Sequence, residues 1–157
     1  MQATARLREL LIAMPCRLES IPSEQASCKP APHKWSPKEE LGHLIDSASN
    51  NHQRIVRAQL EENPSMPGYD GDAWVALHKY QARDWNVLIE TWGRFNAQLL
   101  AAADAISPSA WSRSLSIAGG ELITLQFLLD DYLDHMIHHL LHIGVRVEDS
   151  MSITSAS

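Results

Sequence analysis

The stretch Asp131-Tyr132-Leu133-Asp134-His135-Met136-Ile137-His138-His139-Leu140-Leu141-His142 holds four of the chain's eight histidines inside one apolar, helix-patterned segment. Residues four apart on a helix lie one above the other on the same face, so His135 and His139 can aim two imidazoles at one point. At roughly 100° per residue, Leu125, Leu129, Tyr132, Met136 and Ile143 form a single apolar stripe. His139 falls inside that stripe and His135 on its edge, whereas His138 points well away and His142 lies between. Two inward imidazoles are costly to bury unless they coordinate or hydrogen-bond something, and His pairs at this spacing recur as metal ligands. The segment therefore reads as half of a metal site, with a pair of hydrogen-bonded core or interface histidines as the alternative. A metal site needs at least a third ligand from elsewhere in the chain.

The whole chain of 157 residues, 45% apolar and 20% charged, suits one globular domain over 1–149 followed by a polar, flexible tail at 150–157. Net charge is −6 and no stretch is strongly basic, which argues against nucleic-acid or anionic-membrane binding. Cys16 and Cys28 form neither a zinc-finger nor a disulfide-framework pattern and suggest a reducing compartment. With no signal-peptide core and no apolar run near the roughly 20 residues of a membrane helix, the expected location is the cytoplasm.

Four helices are expected. Leu7, Leu10, Leu11, Met14 and Leu18 mark an amphipathic helix over Thr4 to Glu19, and Pro22, Pro30 and Pro32 break the chain before Trp35. His33 in that loop reads as solvated. Ser36-Pro37-Lys38-Glu39 is a capping-box start for a second helix reaching about Glu62. Leu41, Ile45, Ala48 and Ile55 are its apolar stripe, while His43, Ser47, Asn50 and Arg54 line the opposite side. His43 can thus face a cleft and supply the third ligand; His52 is a weaker candidate. The turn-rich segment 63–72 leads to a third helix that starts near Asp72, leaves room for an irregularity and runs to about Ala105, buried through Trp85, Leu88, Ile89, Trp92, Leu99 and Ala103, with His78 early in it. Ser112 to Ile117 alternates before Ala118-Gly119-Gly120, a short hairpin, and Thr124 caps the last helix, which reaches about Arg146. The architecture is all-α, a four-helix bundle with one long crossover, in which sites are built from side chains on facing helices.

The pieces Trp35-Ser36-Pro37-Lys38-Glu39-Glu40-Leu41-Gly42-His43-Leu44-Ile45-Asp46, Tyr69-Asp70-Gly71-Asp72-Ala73-Trp74 and Tyr132-x-x-His135-x-x-His138-His139 together resemble the DinB/YfiT-like family of metalloenzymes, over nearly the whole chain. The family takes its name from a damage-inducible bacterial protein, not from the similarly named DNA polymerase. The resemblance implies an up-down-down-up bundle, often a homodimer, with a divalent ion held by three histidines. Carried over by position, those ligands are His43, His135 and His139. Relatives include transferases and isomerases that use low-molecular-weight thiols.

Three neutral imidazoles on zinc or nickel leave a position where water or a thiol can lose its proton near neutral pH. The resemblance favours a thiol-dependent S-transferase or isomerase acting on a small molecule. A metal-dependent hydrolase is the alternative, and a non-catalytic metal-binding dimer closed by a fourth ligand such as His142 or His78 is another. Asn50, Arg54 and Arg57 share a side with His43 and can meet a substrate carboxylate, or form an ordinary solvated face. Asp46, Asp131 and Asp134 are candidate acceptors for the ligands' outer N–H groups, and His142 a candidate outer neighbour.

Overall fold

In the computed structural model, which describes residues 2–147, the elements run α1 (Gln2–Glu19), α2 (Ser23–Ala26), α3 (Pro37–Leu60), β1 (Ser65–Met66), α4 (Gly71–His78), α5 (Trp85–Asp104), β2 (Ser114–Ile117), β3 (Ile123–Thr124) and α6 (Leu125–Ile143). The expected tail at 150–157 and the domain boundary at 149 lie outside the described residues. Local chemistry sets the starts of the long helices. The Ser36 hydroxyl accepts from the Glu39 backbone N–H, and the Glu39 carboxylate accepts from the Ser36 N–H. This reciprocal box satisfies two otherwise orphaned donors. Asp84 caps α5 through the Val87 N–H, and Thr124 caps α6 through the Phe127 N–H.

Helix directions follow from contacts at their ends. Trp85 at the start of α5 donates to the Leu18 carbonyl at the end of α1, while Arg8 near the start of α1 pairs with Asp104 at the end of α5, so these two are antiparallel. Gln59 at the end of α3 donates to the Ala102 carbonyl near the end of α5, which makes α3 and α5 parallel. Glu40 at the start of α3 meets His139 late in α6, so these run oppositely. The order is up, down, down, up, as the resemblance implied. A parallel pair needs a long connection, and the segment from Leu60 to Trp85, with α4 and a 3₁₀ turn at Tyr80–Ala82, supplies it.

The apolar stripes face the shared core: Leu7, Met14, Leu41, Ile55, Leu88, Trp92, Leu99, Leu125, Leu129, Tyr132 and Met136 are all buried. Within it the Tyr132 hydroxyl donates to Asn96 Oδ1 at 2.5 Å, and the Asn96 amide donates to the Trp92 carbonyl at 2.9 Å. This satisfied polar bridge joins α5 to α6, and breaking one partner would strand the other at a cost of about 1–3 kcal/mol. Gly42 permits a second close approach, since a Cβ there would lie 2.1 Å from Tyr80 Cγ. The Tyr80 ring can therefore lie flat against the α3 backbone.

Three details differ from the sequence reading. The irregularity allowed within the third helix is a full break: α4 ends at His78, Lys79 takes a left-handed φ of 53°, and the Asp84 cap restarts the chain as α5. The second and last helices stop slightly early, at Leu60 and at Ile143, where Gly144 takes φ 94°. The expected hairpin is present as β2 antiparallel to β3, but β1 also pairs parallel to β2 through Ser65 and Met66. Two-residue strands leave no alternation to detect. No helix among the described residues is long and apolar enough to cross a membrane.

Candidate metal centre

The antiparallel meeting of α3 and α6 brings His43, near the start of one, against His135 and His139, near the end of the other. His43 Nε2 lies 3.0 Å from His135 Nε2, and His139 Nε2 lies 3.1 Å from the same atom. Three ring nitrogens thus converge on one point. These separations approach the edge of roughly 3.3 Å that follows from zinc–nitrogen distances of about 2.0–2.1 Å in a tetrahedron. His43 is buried and the other two rings are partly buried. The Nδ1 atoms of His43 and His135 are buried with no hydrogen-bond partner, so the converging Nε2 edges are the ones these rings engage.

His139 is held from behind. Its Nδ1 lies 2.5 Å from Glu40 Oε2, and Glu40 is itself buried. A carboxylate accepts only, so Nδ1 must carry the proton, and a neutral His139 then presents a bare Nε2 lone pair to the centre. That is the protonation a metal ligand needs, set by the outer carboxylate. Trp35 lies over the His43 ring at a centroid distance of 4.9 Å, and Tyr69 flanks it at 6.2 Å. Gly71 makes room: a Cβ there would stand 3.1 Å from His43 Cε1. The donor set, three converging imidazoles with the His139 tautomer fixed by Glu40, fits a divalent transition-metal ion.

Burial, reinforced by the neighbouring rings, lowers the His43 pKa to about 3 and that of His135 to about 4. Both fall below the ordinary value, so as pH drops below about 6.5 the unfolded chain takes up protons that the folded chain refuses. The stability contributed by neutral rings is full above that pH and is lost progressively down to about pH 4 for His135 and about pH 3 for His43. Each group can contribute at most about 1.4 kcal/mol per pH unit, less here because solvent reaches the site. Metal-free protein should therefore show a lower denaturant midpoint at pH 5 than at pH 7. An unchanged midpoint would contradict neutral burial of these rings.

The remaining sequence candidates fall into distinct places. His138 is exposed and meets the His142 ring edge-on at a centroid distance of 4.2 Å. His142 is also exposed and reaches Glu40 at 3.5 Å rather than the centre. His78 faces Asp46 at 3.0 Å. Asp46 was expected behind a ligand ring, but its carboxylate accepts from Tyr80 at 2.6 Å and lies against His78. Asp131 and Asp134 are exposed on α6. The carboxylate behind a ligand ring is Glu40, three residues before His43 and on the same helical face. Its place within the capping turn of α3 made it look like ordinary helix-start chemistry. Asn50, Arg54 and Arg57 do line one cleft, of about 380 Å³, but none of the three histidines lines it. Among the described residues the three histidines form one group of candidate ligands, and His139 also belongs to a second, with Glu40 at its Nδ1 and the exposed His142 beyond.

The sequence profile of the DinB superfamily matches residues 3–143. The chain belongs to the DinB superfamily. Among curated relatives, this DinB superfamily member is 30% identical to YfiT of Bacillus subtilis strain 168 over 113 residues, covering 69% of the chain and 62% of YfiT. A protein of Oceanobacillus iheyensis is 28% identical over 117 residues, covering 69% and 63%. Both relatives carry the provisional description of metal-dependent hydrolase, and the match spans less than two thirds of their length. Among solved structures, YfiT superposes with a TM-score of 0.81 at 23% identity, over 91% of this chain and 82% of that one, and is described as having an unusual four-helix bundle topology. A mycothiol-dependent maleylpyruvate isomerase superposes at 0.74 and 16% identity, over 92% and 60%. Both structures share the DinB superfamily fold.

Proposed function

We propose that the chain is a divalent-metal-dependent enzyme in which His43, His135 and His139 hold zinc or nickel, and that it joins a low-molecular-weight thiol to an electrophilic small molecule or uses the thiol in an isomerisation. The observation that carries the reading is the convergence of three Nε2 atoms, with Glu40 and His142 gathered instead on the Nδ1 side of His139. A structural site is closed by protein ligands, whereas a catalytic one keeps a position for water or substrate.

A divalent ion bound there would lower the pKa of a coordinated thiol or water toward neutrality. The chain's own residues supply the rest. Burial keeps His43 and His135 neutral, so their lone pairs are available at physiological pH. Glu40 fixes the His139 tautomer, and the Trp35 and Tyr69 rings shield the His43 side from water. The thiol route is supported by the shared fold of the mycothiol-dependent isomerase. The hydrolase reading is favoured by the descriptions of YfiT and its Oceanobacillus relative.

Metal-reconstituted protein incubated with a panel of thiols and electrophiles should accelerate thiol consumption, and a chelator should abolish that rate. Turnover of simple esters or amides with no metal-dependent thiol reaction would replace the thiol reading with the hydrolase. The proposal includes assembly as a homodimer, which sedimentation at a monomer's mass would reject.

A further inference from the structure

We infer that Arg54 and the cleft around it bind the carboxylate end of a small-molecule ligand. The inference rests on the enzymatic reading above only for its link to chemistry. Arg54 is 8% exposed, on the face of α3 that also carries His43, Ser47 and Asn50. Its guanidinium donates to Asn51 Oδ1 and to the Pro67 carbonyl, both at 3.2 Å and both uncharged. No carboxylate of the described residues pairs with it. A buried cation without a counter-charge is costly, and burial indeed pushes the Arg54 pKa down. Of the guanidinium's five N–H donors, two are used.

The cleft at this cation has a volume of about 380 Å³, within the range of roughly 300–1,000 Å³ common for small-molecule sites. Gln53 and Asn50 add amide groups to its lining and Ser65 a hydroxyl, while Met66 and Pro67 give it an apolar wall. The other charged residues lining it, Arg57 and Glu61, pair with each other at 3.0 Å and so cancel. The cleft therefore offers one uncompensated positive charge in a planar fork, which matches a carboxylate monoanion; a phosphate dianion would call for more. Tyr69 links this cleft to the centre: its ring flanks His43, and its phenol lies close enough to Arg54 to interact with it electrostatically.

The test needs neither metal nor turnover. Protein with ¹⁵N-labelled arginine is titrated with sodium propionate, following the Arg54 Nε–H resonance by NMR, with inorganic phosphate as a parallel arm. Propionate should shift that resonance saturably, with a dissociation constant on the order of millimolar, equivalent to about 4 kcal/mol. Arg54→Met should abolish saturable propionate binding measured by calorimetry. Because that variant also loses the Pro67 contact, Gln53→Glu provides the second arm: it leaves Arg54 in place, supplies an internal carboxylate, and should weaken propionate at least about tenfold by pairing with the fork. No saturable shift in the unaltered protein, or equal binding by Gln53→Glu, would overturn the inference, as would phosphate binding as tightly as propionate. Propionate binding without any metal-dependent reaction would keep the cleft and remove the enzymatic reading; the reverse result would do the opposite.

Discussion

Replacing His43, His135 or His139 by alanine should each strip most of the divalent metal from the purified protein, whereas His138→Ala should retain it. The three residues present Nε2 atoms 3.0 and 3.1 Å apart around a common point, and the other candidate group among the described residues, Glu40 with His139 and His142, shares only His139 with them. Losing one of three ligands should weaken affinity by more than the roughly 10–100-fold typical of an outer partner. His138 adjoins His139 in sequence but is exposed and packs against His142. The measurement is metal per chain by elemental analysis after identical purification and reloading, with thermal melts to confirm folding. A His138→Ala protein as depleted as His139→Ala, or a His43→Ala protein with full metal, would reject the triad. His142→Ala should show only a small effect through its contact with Glu40.

Glu40→Gln should lower metal affinity by about 10–100-fold while leaving the bundle folded. Glutamine keeps the size of glutamate but loses the charge that holds the proton on His139 Nδ1, 2.5 Å away. Its amide can also turn an N–H toward the ring, which favours the tautomer with the proton on Nε2, facing the centre. Asp46→Asn is the matched control, a buried carboxylate two turns along α3 whose partners are Tyr80 and His78. Competition with a chelator of known affinity reads both variants. Equal affinity for Glu40→Gln and the unaltered protein would leave Glu40 with no part in holding the ion.

How much of this was legible in the sequence differed with the range of the interaction. The phase of α6 was legible because burial of Leu125, Leu129, Tyr132 and Met136 imposes a helical period, and the same phase separates His139 from His138. The start of α3 was legible because a capping box is purely local. The break between α4 and α5 was not, since it depends on Lys79 adopting a left-handed conformation where the chain turns to lay Tyr80 against Gly42. Strand β1 depends on a partner some fifty residues away in sequence. The error over Asp46 has a similar origin. Helical spacing places it near His43 without revealing that α4 and the following turn bring His78 and Tyr80 to claim it. Glu40, conversely, acquires its partner only when α6 arrives.

His43 and His135 are separated by 92 positions along the chain, so the centre cannot exist until the opening of α3 and the close of α6 have found each other. Loop closure over that span is among the slower events of folding, because its entropy is lost before the contact rewards it. An ion shared by these histidines would act as a clasp on the finished topology. Binding only the closed form, at a thousandfold excess over its dissociation constant it would add about 4 kcal/mol to global stability. Such a clasp would tighten after the bundle has assembled, slowing unfolding and leaving the folding rate nearly unchanged. In the cell, metal supply would then set the lifetime of this fold as well as its chemistry.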